Sequence, residues 1–276
     1  MSLNSVNTNT GAMIALQNLN TTNTQLQTIQ GRINTGMKVA SAKDNGATWA
    51  IAQNQRAESS ALDAVKDSLQ RGQSVIDVAA AAGASVSDLL IQMKAKALAA
   101  SDTGLDTAGR AALNEDFTSL RDQIAKVVSN AEFNGVNLLD GSKANIQALA
   151  NANGDSQLTV SAQTMSLGGS IVSIGTTETI STATHAASVL TLINNSIASV
   201  STALAKLGTG AKSMEAHLNF VGKLQDTIDA GIGNLVDADL AKESARLQAL
   251  QTKQQLGIQA LAIANSSASS LLGLFR

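Results

Sequence analysis

The 276 residues include no proline, no cysteine and no tyrosine, and only one tryptophan and four phenylalanines. Without proline nothing removes a backbone donor from a helix interior, so long uninterrupted helices meet no covalent obstacle. The lack of cysteine excludes disulfides, thiolate metal ligands and a cysteine nucleophile, and leaves the compartment open. An aromatic content of 2% cannot fill a bulky globular centre, although 44% hydrophobic residues are enough for a core. A net charge of −2 offers phosphate backbones no basic surface, which argues against a nucleic-acid partner. No basic residue precedes Arg32, and the apolar stretch Ala12 to Leu16 is too short for a signal peptide. There is also no unbroken run of about eighteen apolar residues, so no membrane partner is expected. These absences predict a cytoplasmic protein or one exported without a cleaved signal.

What is present is a seven-residue apolar repeat. Between Ile51 and Ala100 one seam reads Leu62, Leu69, Ile76, Gly83, Leu90 and Ala97, and the other Val65, Gly72, Ala79, Val86, Met93 and Ala100. Spacings of three and four keep such side chains on one stripe of a helix, so the segment predicts a rod with a partner. At about 1.5 Å per residue it is roughly 75 Å long, too long to wrap a compact core. The partner lies downstream, with Leu190, Ile197, Leu204, Ala211 and Leu218 on one seam and Ile193, Val200, Leu207, Met214, Val221 and Ile228 on the other.

The ends carry weaker stripes. Leu19, Leu26 and Ile33, beside Ala15, Thr22 and Ile29, predict a marginal helix with no charge before Arg32, ending between Gly31 and Gly36. Ser41 and Asp44 are candidate caps for the rod that follows. After a turn at Ser101 to Gly104, Leu113, Leu120 and Val127 with Phe117 and Ile124 predict a shorter helix beside the rod. Asn134-Gly135 and Asp140-Gly141 are hairpin signals. The Gly-, Ser- and Thr-rich stretch to about Thr182 predicts a small β region with strands at Leu158 to Ser161 and Ile171 to Ile174, the least constrained part of the chain. Asp229 to Val236, with Gly231 and Gly233, predicts a helix break, and Asp237 and Asp239 the start of a last helix. Its seams hold Leu240, Leu247, Leu261 and Phe275 with Gln254, and Leu250 and Leu271 with Glu243 and Gly257. Leu256, Ile258 and Ile263 fall off them. A helix apolar on several faces predicts burial among copies of itself.

Three segments carry a family resemblance: RINTGMKVASAKDNGATWAIA at residues 32–52, FNGVNLLDG at 133–141, and the ending from Asn234 through ADLAKESARLQALQTKQQLGIQALAIAN to LLGLFR. They resemble bacterial flagellin, close to the short flagellins of α-proteobacteria. The resemblance implies a mainly α fold, with long antiparallel coiled-coil-like rods and a small β region in the middle. It implies an N-terminal assembly helix over 1–40 paired with 237–276 in the inner filament core, rod segments at 41–140 and 183–236, and a short variable outer region at 141–182. It implies a structural subunit, not an enzyme, that polymerises into the extracellular flagellar filament for swimming motility by folding its ends against neighbouring copies. Self-assembly would rest on Leu16, Leu19, Leu26, Ile29, Ile33, Leu240, Leu247, Leu250, Leu256, Ile258, Leu261, Leu271, Leu272, Leu274 and Phe275. Implied partners are further copies, hook-associated and cap proteins, an export chaperone and the type III export apparatus. Many flagellins carry Arg, Glu and Leu in the segment that an animal innate receptor reads, and Gln92, Ala95 and Lys96 stand there instead.

Other classes fare worse. His185 and His217 lie far apart in sequence with no ligand spacing around them, so no metal, cofactor or catalysis is expected. Asp237, Asp239 and Glu243 read as caps and solvated charge, and Gly168-Gly169 lacks the Lys-Ser/Thr of a phosphate loop. Trp49 reads as packing near a joint. A hook-filament junction protein shares flagellin-like ends. A chemoreceptor-like hairpin would need a membrane anchor or a sensor domain.

Overall fold

The long repeat forms a single helix, α2 (Gly46–Ala100), in which every seam position from Leu62 to Ala100, glycines included, is buried. A computed structural model describes residues 8–273, with side chains in the last helix described through Ser266. Before α2 stands α1 (Thr10–Thr35). After it come α3 (Thr107–Ser129), the two-residue strands β1 (Glu132–Phe133) and β2 (Val136–Asn137), the hairpin β3 (Asn145–Leu149) and β4 (Gln157–Ser161), then α4 (Ala183–Val236) and α5 (Leu240–Gly273). The chain forms two compact units, Glu58–Asp226 and Met1–Ala57 with Thr227–Arg276.

In the Glu58–Asp226 unit, α2 and α4 run antiparallel. Gly72 faces Met214, Gly83 faces Leu204, and Gln225 hydrogen-bonds both Lys66 and Asp63. The last turn of α2 has no basic residue of its own. The buried Arg110 takes that part, donating to the carbonyls of Ala100, Asp102 and Leu105 at 3.2, 2.7 and 3.3 Å. A guanidinium there satisfies carbonyls the helix leaves open and complements its negative end. On α3, Phe117, Ile124 and Val128 are buried. Asn134 and Gly135 both adopt positive φ (51° and 78°), the primed turn that an Asn-Gly pair favours between β1 and β2. Asp140-Gly141 makes only a turn.

The middle of the chain is less free than its composition predicts. One face of the β3–β4 hairpin buries Ala148 and Val160 against the helices, beside Gly72 and Gly210, and the Leu149 amide donates to Ser68 Oγ. Met165, Val172, Ile174 and Ile180 are fully buried, yet Ile171 to Ile174 is no strand, holding only an isolated bridge between Leu167 and Val172. Instead the Ser173 amide donates to Ser196 Oγ at 3.0 Å, pinning the segment on α4. That contact shifts the α4 seam. Ile193, Val200, Leu207, Met214 and Val221 are buried as expected, but beside them Ser196 and Ala203 are buried while Ile197 and Leu204 are only half-buried.

In the other unit, α1 runs through Gly31 and ends at Gly36 in the left-handed region (φ 70°). Asn45 caps α2 through a bond from the Thr48 amide, whereas Asp44 caps the preceding loop. The predicted break at Gly231 and Gly233 does not occur, and α4 continues to Val236. Its last carbonyls find partners in the Lys38 and Val39 amides and in Lys38 Nζ. Ile232 and Val236 pack with Val39 and Ala52, flanked by Trp49 and Met37. This packing outweighs the glycine cost of about 1 kcal/mol each in a helix.

Both α2 and α4 also contain a stretch long and apolar enough, by length and composition, to cross a membrane, although neither has an unbroken apolar run. Alanine and the aliphatic seam residues raise their average, and the seam side chains are spent on packing.

Candidate functional site

The terminal helices α1 and α5 pair antiparallel. Asn9 Nδ2 donates to the Ala264 carbonyl (2.7 Å), Leu19 lies against Gly257, Gln254 Nε2 donates to Asn23 Oδ1 (2.7 Å), and Arg32 Nη1 meets Glu243 Oε1 (3.5 Å). Each helix begins on a side-chain cap, Asn9 accepting from the Ala12 amide and Asp239 from the Lys242 amide.

The pairing buries little. On α1, Leu26 and Ile29 are buried with Thr22, whose hydroxyl satisfies itself on the Asn18 carbonyl (2.8 Å), and Leu19 and Ile33 are half-buried. Among the described side chains of α5 only Glu243 is buried, while Leu247, Leu250 and Leu261 are half-buried. Leu16, Leu240, Leu256 and Ile258 stand exposed. So do Met13 and Ile14, which the heptad frame passed over, and Ile263, exposed at 68%. A groove of about 480 Å³ runs along the pair, lined among others by Thr28, Ile29, Arg246 and Leu250. Leu274 and Phe275 lie outside the described residues, as do the side chains of Leu271 and Leu272.

Heptad reasoning did not single out the polar contacts inside the pair. Their signal was available, because Gln254 and Glu243 interrupt otherwise apolar seams. Glu243 Oε1 also accepts from Arg246 Nη1 at 3.2 Å.

Away from the terminal helices, Gln92 and Ala95 are exposed on α2, and Lys96 is half-buried with its ammonium on Asp116 at 2.7 Å. His185 pairs with Glu178, and His217 bonds the Ala150 carbonyl and lies against the Phe220 ring. Among the described residues no three His, Asp or Glu side chains gather closely enough to hold a metal ion.

Comparison with known proteins follows the same geometry. Residues 6–144 match the bacterial flagellin N-terminal helical region, and residues 190–275 the bacterial flagellin C-terminal helical region. Flagellin FljK of Caulobacter vibrioides is 61% identical over 276 residues, covering 100% of both chains. The crystal structure of Bacillus cereus flagellin superposes with a TM-score of 0.50 at 23% identity, over 56% of this chain and 88% of that one. A putative flagellar hook-associated protein from Vibrio parahaemolyticus superposes with a TM-score of 0.56 at 16% identity, over 70% and 100%. At such identities the two structures speak for the fold alone.

Proposed function

The chain belongs to the bacterial flagellin family, and on that premise we propose that its two ends drive assembly by folding against neighbouring copies. It is a structural subunit of the extracellular flagellar filament, not an enzyme, and on this reading it self-polymerises and meets hook-associated and cap proteins. The observation that carries the proposal is the apolar surface left open on α1 and α5. Each such side chain, if fully buried, contributes about 1.5–3 kcal/mol before ordering costs. A head-to-tail contact whose rotation does not close gives an open helical filament.

On this reading residues 1–40 and 237–276 form the inner assembly layer, 41–140 and 183–236 the rods around it, and 141–182 the outer region. The assembly interface is Leu16, Leu19, Leu26, Ile29 and Ile33 with Leu240, Leu247, Leu250, Leu256, Ile258, Leu261, Leu271, Leu272, Leu274 and Phe275. Export runs through the flagellar type III apparatus with a chaperone, in an unfolded state and without a cleaved signal peptide. The hook-junction reading draws only on fold likeness at 16% identity, against 61% to a flagellin over the full length.

The test is electron microscopy of purified chain under polymerising conditions, beside a truncation lacking Leu271 to Arg276. We expect filaments from the full chain and a helical, soluble, non-polymerising monomer from the truncation. Normal filaments from the truncated chain would overturn the role given to this end, and a short cap of fixed copy number would favour the junction protein.

A further inference from the structure

The apolar part of the α1–α5 seam does not define its own alignment. Leucine and isoleucine recur at seven-residue spacing on both helices, so a slip of one heptad sets Leu19 opposite Leu250 and Thr22 opposite Leu247, where Gly257 and Gln254 stand in the observed pairing. Most apolar contact survives such a slip. What does not survive is the polar pairing, Asn23 with Gln254 and Arg32 with Glu243.

We infer that Asn23, Gln254, Arg32 and Glu243 are positioning residues that fix the register of the terminal helix pair and so align the apolar faces that assembly uses. The inference rests on the filament reading. Slipped one way, Gln254 meets Leu16 and Glu243 meets Gln25. Slipped the other way, Gln254 meets Gln30, and Glu243 falls beyond the end of α1 at Val39. The observed register is the one of the three that gives both side chains their partners.

The quality of the Arg32–Glu243 contact points the same way. Glu243 is 95% buried, its contact to Arg32 is long at 3.5 Å, and Glu243 Oε2 and Arg32 Nε have no hydrogen-bond partner. A pair so incompletely satisfied adds little stability, and its effect lies in what it forbids. A slip would take Arg32 away from a buried carboxylate whose other cation, Arg246, travels with it on the same helix, the kind of fault that polar seam residues exploit to select one register in coiled coils. Register matters here because a heptad slip moves Leu256, Ile258 and Ile263 by roughly 10 Å along α1, past Met13, Ile14 and Leu16. The composite surface offered to a neighbour would then be lost.

The absence of cysteine makes register directly measurable. A Cβ built on Gly11 lies 3.9 Å from that of Ala264, within the range a disulfide spans. In the full-length chain, Gly11→Cys with Ala264→Cys reports the observed register, and Gly11→Cys with Gly257→Cys reports a slip of one heptad. Chains are oxidised, then offered to filament seeds, and the sedimented and soluble fractions are compared on non-reducing gels. In the native background we expect the first reporter to crosslink and sediment, and the second to stay reduced. With Asn23, Arg32, Glu243 and Gln254 all changed to Leu, the slipped crosslink should rise about tenfold and remain soluble. The exchange Asn23→Gln with Gln254→Asn, tested alone, should keep native behaviour, which a mere packing role would not require.

An unchanged slipped crosslink in the leucine background would overturn the inference. So would loss of both crosslinks, since the polar pairs would then supply stability and not alignment. If no chain of any background sediments, it is the filament reading that fails, while the gels still report register.

Discussion

At Asp44 a short loop is held by one carboxylate. Its Oδ2 accepts from the Ser41 amide (2.9 Å), the Ser41 hydroxyl (3.1 Å) and the Ala40 amide (3.1 Å). The two Ser41 bonds hold its pKa below the ordinary 3.8 against an opposing desolvation, with lesser help from the Ala40 amide and the nearby Arg32 charge. A lowered carboxylate value means that the unfolded chain takes up the proton first as pH falls. The stabilisation is therefore present above 3.8 and is lost as pH drops through the lowered value. Asp44→Asn should unfold more readily than the parent at pH above 3.8, and the gap should close as pH falls through the lowered value. Denaturant midpoints measured across that range check this, and a gap that widens on acidification would refute it.

The segment that the flagellin resemblance sets against an animal receptor also turns on single residues. Gln92 and Ala95 present neither a guanidinium nor a carboxylate, and Lys96 is engaged on Asp116. We propose that this face recruits the animal receptor poorly, because a lost bidentate Arg and a lost anion remove the contacts that dominate such interfaces. Purified monomer should give weak signalling in receptor-reporter cells beside a flagellin that carries Arg, Glu and Leu there. Equal potency would end the proposal.

Two glycines on α4, Gly208 and Gly210, lie about 200° apart around the helix and separate helix propensity from packing. A Cβ at Gly208 would meet nothing within 4 Å, whereas one at Gly210 would lie 2.7 Å from Val160 Cγ1 on β4. Alanine at the open site should stabilise by about 0.5–1 kcal/mol by restricting the unfolded backbone. Gly210→Ala must push aside a stiff β-branched side chain, and should cost about 1–3 kcal/mol. Thermal denaturation of the two variants checks the sign of each, and a stabilised Gly210→Ala would mean that the hairpin does not press on the helix.

The same contrast explains what the sequence made legible. The α2 seam reads correctly from Leu62 to Ala100 because its neighbours pack along its whole stripe. One of the two α4 seams is displaced by one position, with Ser196 and Ala203 buried in place of Ile197 and Leu204, and Ser196 is covered by the backbone of Ser173, a contact with no period to read. Gly231 and Gly233 signal a stop, yet the carbonyls beyond them bond to a distant loop. Ile171 to Ile174 alternates like a strand but finds a helix and not a second strand to lie on. Of the candidate site, the apolar frame of both end helices was visible, and so were the interruptions at Glu243 and Gln254. Their partners, Arg32 and Asn23, belong to the far end of the chain, and no local pattern ties them together.

For the whole molecule, burial is unevenly distributed. The Glu58–Asp226 unit fully buries Leu62, Ile76, Leu90, Phe117 and Ile180, among others. By contrast, α5 has only Glu243 buried among its described side chains, and Leu256 and Ile263 are 59% and 68% exposed. Local opening costs least where few apolar contacts must be broken. A lone chain should therefore open its ends far more often than its middle, and polymerisation should close them by burying what α1 and α5 leave in water. Brief protease treatment of monomer is expected to trim both termini to a fragment near residues 45–235, while filaments at equal protein concentration keep full-length chain. Cleavage in the monomer tracks the population of the open form when opening is fast relative to cutting, so the rate should scale with protease and not saturate. Monomer as resistant as filament would mean that the ends are already folded before assembly, and that neighbours add contact without adding order.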